Sequence, residues 1–225
     1  AADWIAGCDG AHSGLRHSLD LPFPGHRYLQ QLVLADLSLE GLDRARMHVF
    51  PDSPAPLICF PLPDGHWRTI ALLPPDAPPP AQGSLIPFQR PGLTLGEPSW
   101  WNLFRISQRQ VPRMQIDRRL LLGDAAHIHS PAGGQGMNLG IQDAWSLAAA
   151  IAEGPGAVAL WAGRRHGLAR QVIRATDLMT RMMTARSPLL ASLRARVFRL
   201  AAGSPMLSRQ LETGLAGLRY PAPPA

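Results

Sequence analysis

The sequence predicts a mixed α/β fold: strand, turn and helix units framing an inserted antiparallel sheet, with further helices at the carboxyl end. Three observations carry that expectation. The stretch RRLLLGDAAHIHSPAGGQGMNLGIQDAWSLAAAI, from Arg118 to Ile151, passes from a short apolar run through glycines into a helical period. Between Leu21 and Leu73 short alternating segments follow one another, divided by turn residues. Beyond Leu160, apolar residues recur at helical spacing.

Taken in order, Ala1 to Cys8 reads as a strand, and Asp9-Gly10 supplies turn chemistry after it. Ser13 stands in Gly10-Ala11-His12-Ser13-Gly14, off the Gly-x-Ser-x-Gly spacing of a nucleophile elbow, so a hydrolase is rejected. Arg16 can pair with Asp9, reach a phosphate, or sit as a solvated helix arginine. Gln31–Leu37, Arg46–Phe50, Leu57–Leu62 and Trp67–Leu73 read as antiparallel strands, with Asp64-Gly65 as a hairpin turn. Their apolar and aromatic residues serve core packing. Pro74 to Pro91 is too rich in proline for a long helix. Trp100–Ile106 then reads as a returning strand, and Val111-Pro112-Arg113 leads out of it.

Leu120-Leu121-Leu122, closed by Gly123-Asp124, suits a buried parallel strand. Asp124 then lies at a strand's carboxyl end, the edge where open α/β sheets hold ligands. An acceptor-only carboxylate there can take hydrogen bonds from hydroxyls of a ribose or polyol; the alternative is a turn cap. From His127 to Gly136, Pro131 fixes one dihedral while Gly133, Gly134 and Gly136 remove β-carbons, so a flat ligand can approach the backbone. A helix follows over Met137–Ile151, with Met137, Ile141, Trp145 and Ala148 on one apolar face. Its free N–H groups and positive dipole end favour an anion or an electron-rich carbonyl. Gly134-x-Gly136-x-x-x-Gly140 nearly matches a dinucleotide fingerprint, but no return strand follows, so that motif is weak. Gly154-Pro155-Gly156 ends the helix, and Leu160–Thr184 forms another that packs through Leu168, Val172, Met179 and Met183. Ser187-Pro188 breaks it, a further helix runs through Leu200, and the proline-rich end from Tyr220 is loose.

Composition narrows the function. With 225 residues the chain forms one large or two small domains. Its net charge of +6 comes from arginine, since lysine is absent, and the arginines are dispersed. Those from Arg164 to Arg199 read as a solvated helix face, which argues against nucleic-acid binding. Cys8 and Cys59 stand far apart without C-x-x-C spacing, against a disulfide framework or zinc site, so a reduced cytoplasmic setting is expected. No apolar run reaches the roughly 18 residues needed to span a bilayer. His127-x-His129 lacks acidic or thiol partners at ligand spacing, so both read as loop histidines and no metal is expected.

Gly123-Asp124-Ala125-Ala126-His127, followed by Pro131-x-Gly133-Gly134-x-Gly136-Met137-Asn138, resembles the second FAD-binding motif of the flavin-dependent aromatic hydroxylases, the para-hydroxybenzoate hydroxylase-like monooxygenases. Upstream, Gly7-Cys8-Asp9-Gly10-Ala11-His12-Ser13-x-x-Arg16 resembles that family's DG motif, which serves flavin and nicotinamide binding. The resemblance implies a partial FAD-binding Rossmann-like domain, with the antiparallel sheet covering the substrate. It divides the chain into 1–20 (first FAD-binding part), 21–105 (substrate-covering sheet), 106–155 (second FAD-binding part) and 156–225 (helical region). It implies FAD as cofactor, NADPH or NADH as reductant, and a small aromatic or electron-rich substrate hydroxylated through a flavin hydroperoxide. Asp124 is implied to bind the ribityl or pyrophosphate side. The amides of Met137 and Asn138 face an isoalloxazine carbonyl, Pro131 to Gly134 line the reacting ring face, and Asp9 sits in an outer shell. Gly10, Arg16, Gly123, Ala125 and Gly136 complete the implied cofactor set. No acid or base is named for oxygen transfer, because substrate-activating residues differ among members.

The family carries a tyrosine and a Glu-Arg pair early in its later helix; here Trp161-Ala162-Gly163-Arg164-Arg165 implies an altered contact. Its amino-terminal Gly-x-Gly-x-x-Gly unit does not precede Asp9, so the resemblance implies a fragment, a split subunit with a partner supplying the nucleotide-binding unit, or a non-catalytic remnant. Flavin-dependent halogenation or dehydrogenation is the remaining alternative.

Overall fold

The structure is a computed structural model, and it describes residues 2–50, 56–131 and 134–184 together with Arg196, Ser204, Met206, Arg209 and Thr213. The expectations of a break at Ser187-Pro188, a helix through Leu200 and a loose end from Tyr220 lie outside the described residues, as does Gly133. In chain order the elements are β1 (Ile5–Gly7), α1 (Gly14–Ser18), β2 (Gly25–Glu40), β3 (His48–Phe50), β4 (Leu57–Pro61), β5 (Trp67–Leu73), β6 (Thr94–Gln110), β7 (Gln115–Ile116), β8 (Arg119–Leu121), β9 (His127–Ile128), α2 (Gly136–Glu153) and α3 (Pro155–Thr184). Single 3-10 turns stand at Ile86–Phe88 and Gly123–Ala125. The chain forms two compact units, Arg27–Ile106 and the flanking Ala1–His26 with Ser107–Ala225.

Within Arg27–Ile106, the antiparallel sheet runs in the order β3-β4-β5-β2-β6. Alternation decides which face is inside: Trp67, Thr69, Ala71 and Leu73 of β5 point inward with Val33, Leu37 and Leu57. The β4–β5 hairpin closes as its residues require, with Gly65 at φ +93° and the Asp64 carboxylate accepting the His66 amide at 3.0 Å. Pro74 to Pro91 holds the 3-10 turn at Ile86–Phe88 and two hydrogen-bonded turns, Pro74–Ala77 and Ala81–Ser84, and no longer helix. β6 is longer than the Trp100–Ile106 segment read from sequence. Most of its length has β2 on one side alone, and Pro98, which cannot donate to a ladder, is tolerated on such an edge.

In the other unit, β1 and β8 pair in parallel, with Gly7 opposite Leu121, and β7 adds antiparallel to β8. Leu120, Leu121 and Leu122 are buried in one core with Ala125, Ala126, Leu147, Ala150, Val158 and Trp161. At the end of β6, Arg109 and Gln110 pair with β9. Gly154, at φ +114°, stops α2, and Pro155 starts α3 at once. The helix therefore begins earlier than Leu160, because proline's fixed φ suits a first helical position.

Two helix faces differ from the sequence reading. Met137, Ile141 and Trp145 are 74%, 58% and 68% exposed, and α2 instead buries Leu139, Asp143, Ser146, Leu147 and Ala150. Asp143 decides this, since its partners are inside and Leu139 and Leu147 lie one turn either side of it. On α3 the buried positions are Val158, Trp161, Ala162, Arg165, Ala169, Val172, Ile173, Thr176 and Thr180, whereas Met179 is exposed and Leu168 only partly buried. Thr176 and Thr180 can enter because their hydroxyls bond back to the carbonyls of Val172 and Thr176. Arg165 corrects the reading of a wholly solvated arginine face. Among the described residues no helix is long and apolar enough to cross a membrane, and both cysteines are free.

Candidate functional site

β8 delivers the chain into a turn that begins at Gly123, where φ is +53°. A β-carbon on Gly140 of α2 would stand 3.4 Å from Gly123 Cα, so the helix and the turn meet through two glycines. Ala125 N–H and Ala126 N–H bond the carbonyls of Leu122 and Gly123. Asp124 caps none of this. It is exposed, its carboxylate has no hydrogen-bond partner among the described residues, and its oxygens are open to donors from a ligand.

The Asp9 segment reaches the same turn. Gly10 takes φ +78° after Asp9, and Ser13 caps α1 by accepting the Arg16 amide at 3.0 Å. Asp9 does not pair with Arg16. Its carboxylate accepts from the Ser13 hydroxyl and from the Leu15 amide at 3.1 Å, and the Ser13 bond first of all holds it below the usual carboxylate range. Arg16 is buried instead, stacked 4.1 Å over the Phe23 ring, and its guanidinium donates to Ala11 O at 2.8 Å and Ala125 O at 3.0 Å. It acts as an internal strut between the two motifs.

Behind the turn lies a buried ionic centre. Asp143, fully buried, accepts from the His127 ring at 2.6 Å, from Arg165 Nε at 2.5 Å and from the Gly123 amide at 3.4 Å. Arg165 also donates to Leu139 O at 3.0 Å, and Trp161 Nε1–H lies 3.0 Å from Ser146 Oγ and 3.2 Å from Asp143 O. His127 is thus no loop histidine. It sits on β9, 2% exposed, as one arm of this centre. The expected alteration at Trp161 to Arg165 resolves similarly: Arg164 is exposed, while Trp161 and Arg165 make the contacts.

The loop leads to the amino end of α2. Pro131 and Gly134 are exposed, Gly134 has φ +63°, and a β-carbon built there would meet nothing within 4 Å. The bend is open. Leu139 N–H to Gln135 O is the first intrahelical bond of α2, so the amides of Gly136, Met137 and Asn138 have no acceptor within the helix, and among the described residues no side chain caps them. The His129 ring stands 3.8 Å from where a Gly136 β-carbon would be. Its Nδ1–H donates to Ser130 O at 3.0 Å, while Nε2 is buried with no hydrogen-bond partner among the described residues, and desolvation pushes its pKa below the ordinary histidine value. Ser130, itself buried, shares a hydroxyl–hydroxyl hydrogen bond of 2.6 Å with Thr180 of α3.

Sequence reasoning missed Asp143 and Thr180, and it named the Trp161–Arg165 stretch without assigning Trp161 and Arg165 to this centre. Asp143 did leave a signal: an acid midway between Leu139 and Leu147 shares their face, and a carboxylate on a core face needs a cation.

The residues present fit a cofactor with a hydroxylated chain and an electron-rich carbonyl edge: a free carboxylate after a strand, an open bend and bare helix amides. Residues 88–162 match the family described as FAD binding domain. Rifampicin monooxygenase of Streptomyces venezuelae is 32% identical over 209 residues, covering 81% of this chain and 42% of that protein. The 6-methylpretetramide 4-monooxygenase of Streptomyces rimosus is 35% identical over 159 residues, covering 67% and 28%. An anhydrotetracycline hydroxylase structure from Streptomyces rimosus superposes with a TM-score of 0.71 at 27% identity, covering 99% of this chain and 47% of that one. The chain spans less than half the length of these relatives. Over that span it is a member of the para-hydroxybenzoate hydroxylase-like flavoprotein monooxygenases, with residues 88–162 matching their FAD binding domain.

Proposed function

We propose that this chain is the flavin-holding and substrate-covering part of a monooxygenase that uses FAD, and NADPH or NADH as reductant, to hydroxylate a small aromatic compound. The observation that carries the reading is the bare amino end of α2 facing an open glycine bend, with an unpartnered Asp124 at the end of β8. When bound, FAD supplies the redox and oxygen chemistry. The chain's own residues bind and orient. Asp124 would accept hydrogen bonds from the ribityl hydroxyls, and the amides of Met137 and Asn138 would bind the carbonyl edge and stabilise negative charge there, as an oxyanion hole does. Pro131 and Gly134 would line the ring face. Gly10, Gly123, Ala125 and Gly136 would let backbone come close, and Asp9 and Arg16 would support the turn from behind. The relatives are named monooxygenases, which favours hydroxylation over halogenation or dehydrogenation.

Visible absorbance of the purified chain after incubation with FAD tests the reading. Asp124→Ala should weaken FAD binding at least about tenfold, the loss of a hydrogen bond to a charged group, while the unfolding midpoint stays put because Asp124 has no hydrogen-bond partner among the described residues. Undiminished affinity in Asp124→Ala would remove Asp124 from the site, and a wild-type chain that takes up no FAD would overturn the whole reading.

A further inference from the structure

The turn that carries Asp124 is held at both ends by a single atom. Asp143 Oδ2 accepts from the Gly123 amide on one side of Asp124 and from the His127 ring on the other. Its second oxygen is engaged by Arg165, which is fixed in turn by Leu139 O, and Trp161 bonds the carbonyl of Asp143 itself. α2 and α3 therefore set where Asp143 lies, and Asp143 sets where the turn lies.

Resting on the flavin-site reading above, we propose that Asp143 is a positioning residue of that site. It never touches the ligand. Through Gly123 and His127 it fixes the Asp124 carboxylate relative to the bare amides of α2, the two features on which the proposed grip depends. Packing alone does not require it, because a buried ion pair contributes little over apolar residues of equal volume. Nor does the turn need it to form, since its own two backbone bonds close it. What the carboxylate adds is a fixed place for a turn whose exposed acid has no tether of its own.

Asp143→Asn separates this role from stability. The amide keeps the shape and one acceptor oxygen, and the Arg165 guanidinium, always charged, retains that oxygen. The NH2 group then faces the turn, where it meets the Gly123 N–H donor to donor, and His127 can bond it only as an acceptor at Nε2. Three results are expected: hydrogen exchange of the Gly123 amide speeds up at least about tenfold, the His127 ring nitrogen signals change from a protonated to an unprotonated Nε2, and FAD binds about tenfold more weakly.

Ser146→Ala is the control. It removes the hydroxyl that accepts from Trp161 in the same network, and should lower the unfolding midpoint with Gly123 exchange and FAD affinity unchanged. If Asp143→Asn does not fold, His127→Leu leaves the Asp143–Arg165 pair intact and should loosen the turn alike, with His127→Gln restoring it by keeping a donor. Unchanged exchange and affinity in Asp143→Asn, or an equal loss of affinity in Ser146→Ala, would overturn the proposal. Should the wild-type chain take up no FAD, the functional reading falls, and the exchange and ring-nitrogen signals alone decide whether Asp143 places the turn.

Discussion

His129 gives the loop a pH dependence whose sign follows from its surroundings. Desolvation lowers its pKa from the ordinary 6.5, outweighing the Ser130 carbonyl and the more distant Asp124 carboxylate, which both favour the charged ring. The folded chain therefore prefers the neutral imidazole. A depressed histidine pKa contributes stability that is present above the unfolded value of about 6.5 and is lost as pH falls through the folded value. Denaturant midpoints measured between pH 8 and pH 5 should fall on acidification, and His129→Gln should flatten that limb. A slope unchanged in His129→Gln would show that the ring is solvated after all. Arg16 and Arg165 make a related point at this scale: both are buried, and each holds backbone carbonyls of a distant segment rather than facing solvent.

At the scale of elements, the start of β2 leaves no room for a side chain. Gly25 has φ +149°, and a β-carbon there would stand 1.9 Å from Gln108 O and 2.7 Å from Arg109 Cα. Backbone cannot give way as a flexible side chain can. Gly25→Ala should therefore cost on the order of 3 kcal/mol, lowering the thermal midpoint by roughly 6–12 °C for a chain of this size. A drop of a degree or two would mean that β2 shifts freely.

The strands and turns were legible in the sequence because they depend on local chemistry: Asp64-Gly65 can do little except turn, and Leu120 to Leu122 can do little except hide. Helix faces were not. Met137, Ile141 and Trp145 form a stripe that amphipathic logic sends inward, yet a single carboxylate with a cation and an imidazole waiting for it turns the other side of α2 to the core. The same holds at the site. Asp124 and the glycine bend are contiguous and could be named in advance, whereas Asp143, Trp161 and Arg165 come together only through tertiary contact.

For the molecule as a whole, the folded chain keeps large apolar groups, Met137, Ile141 and Trp145, at the surface of α2. That outward indole has an optical consequence. Trp145 is 68% exposed, whereas Trp67 and Trp161 are enclosed at 0% and 5%. Its emission should be long in wavelength and open to acrylamide, and Trp145→Phe should remove its share of the quenchable light, leaving that of the 43% exposed Trp100, while sparing the blue component. Whatever comes to lie along α2 will then announce itself by dimming or blue-shifting a lamp the chain already owns, with no dye attached.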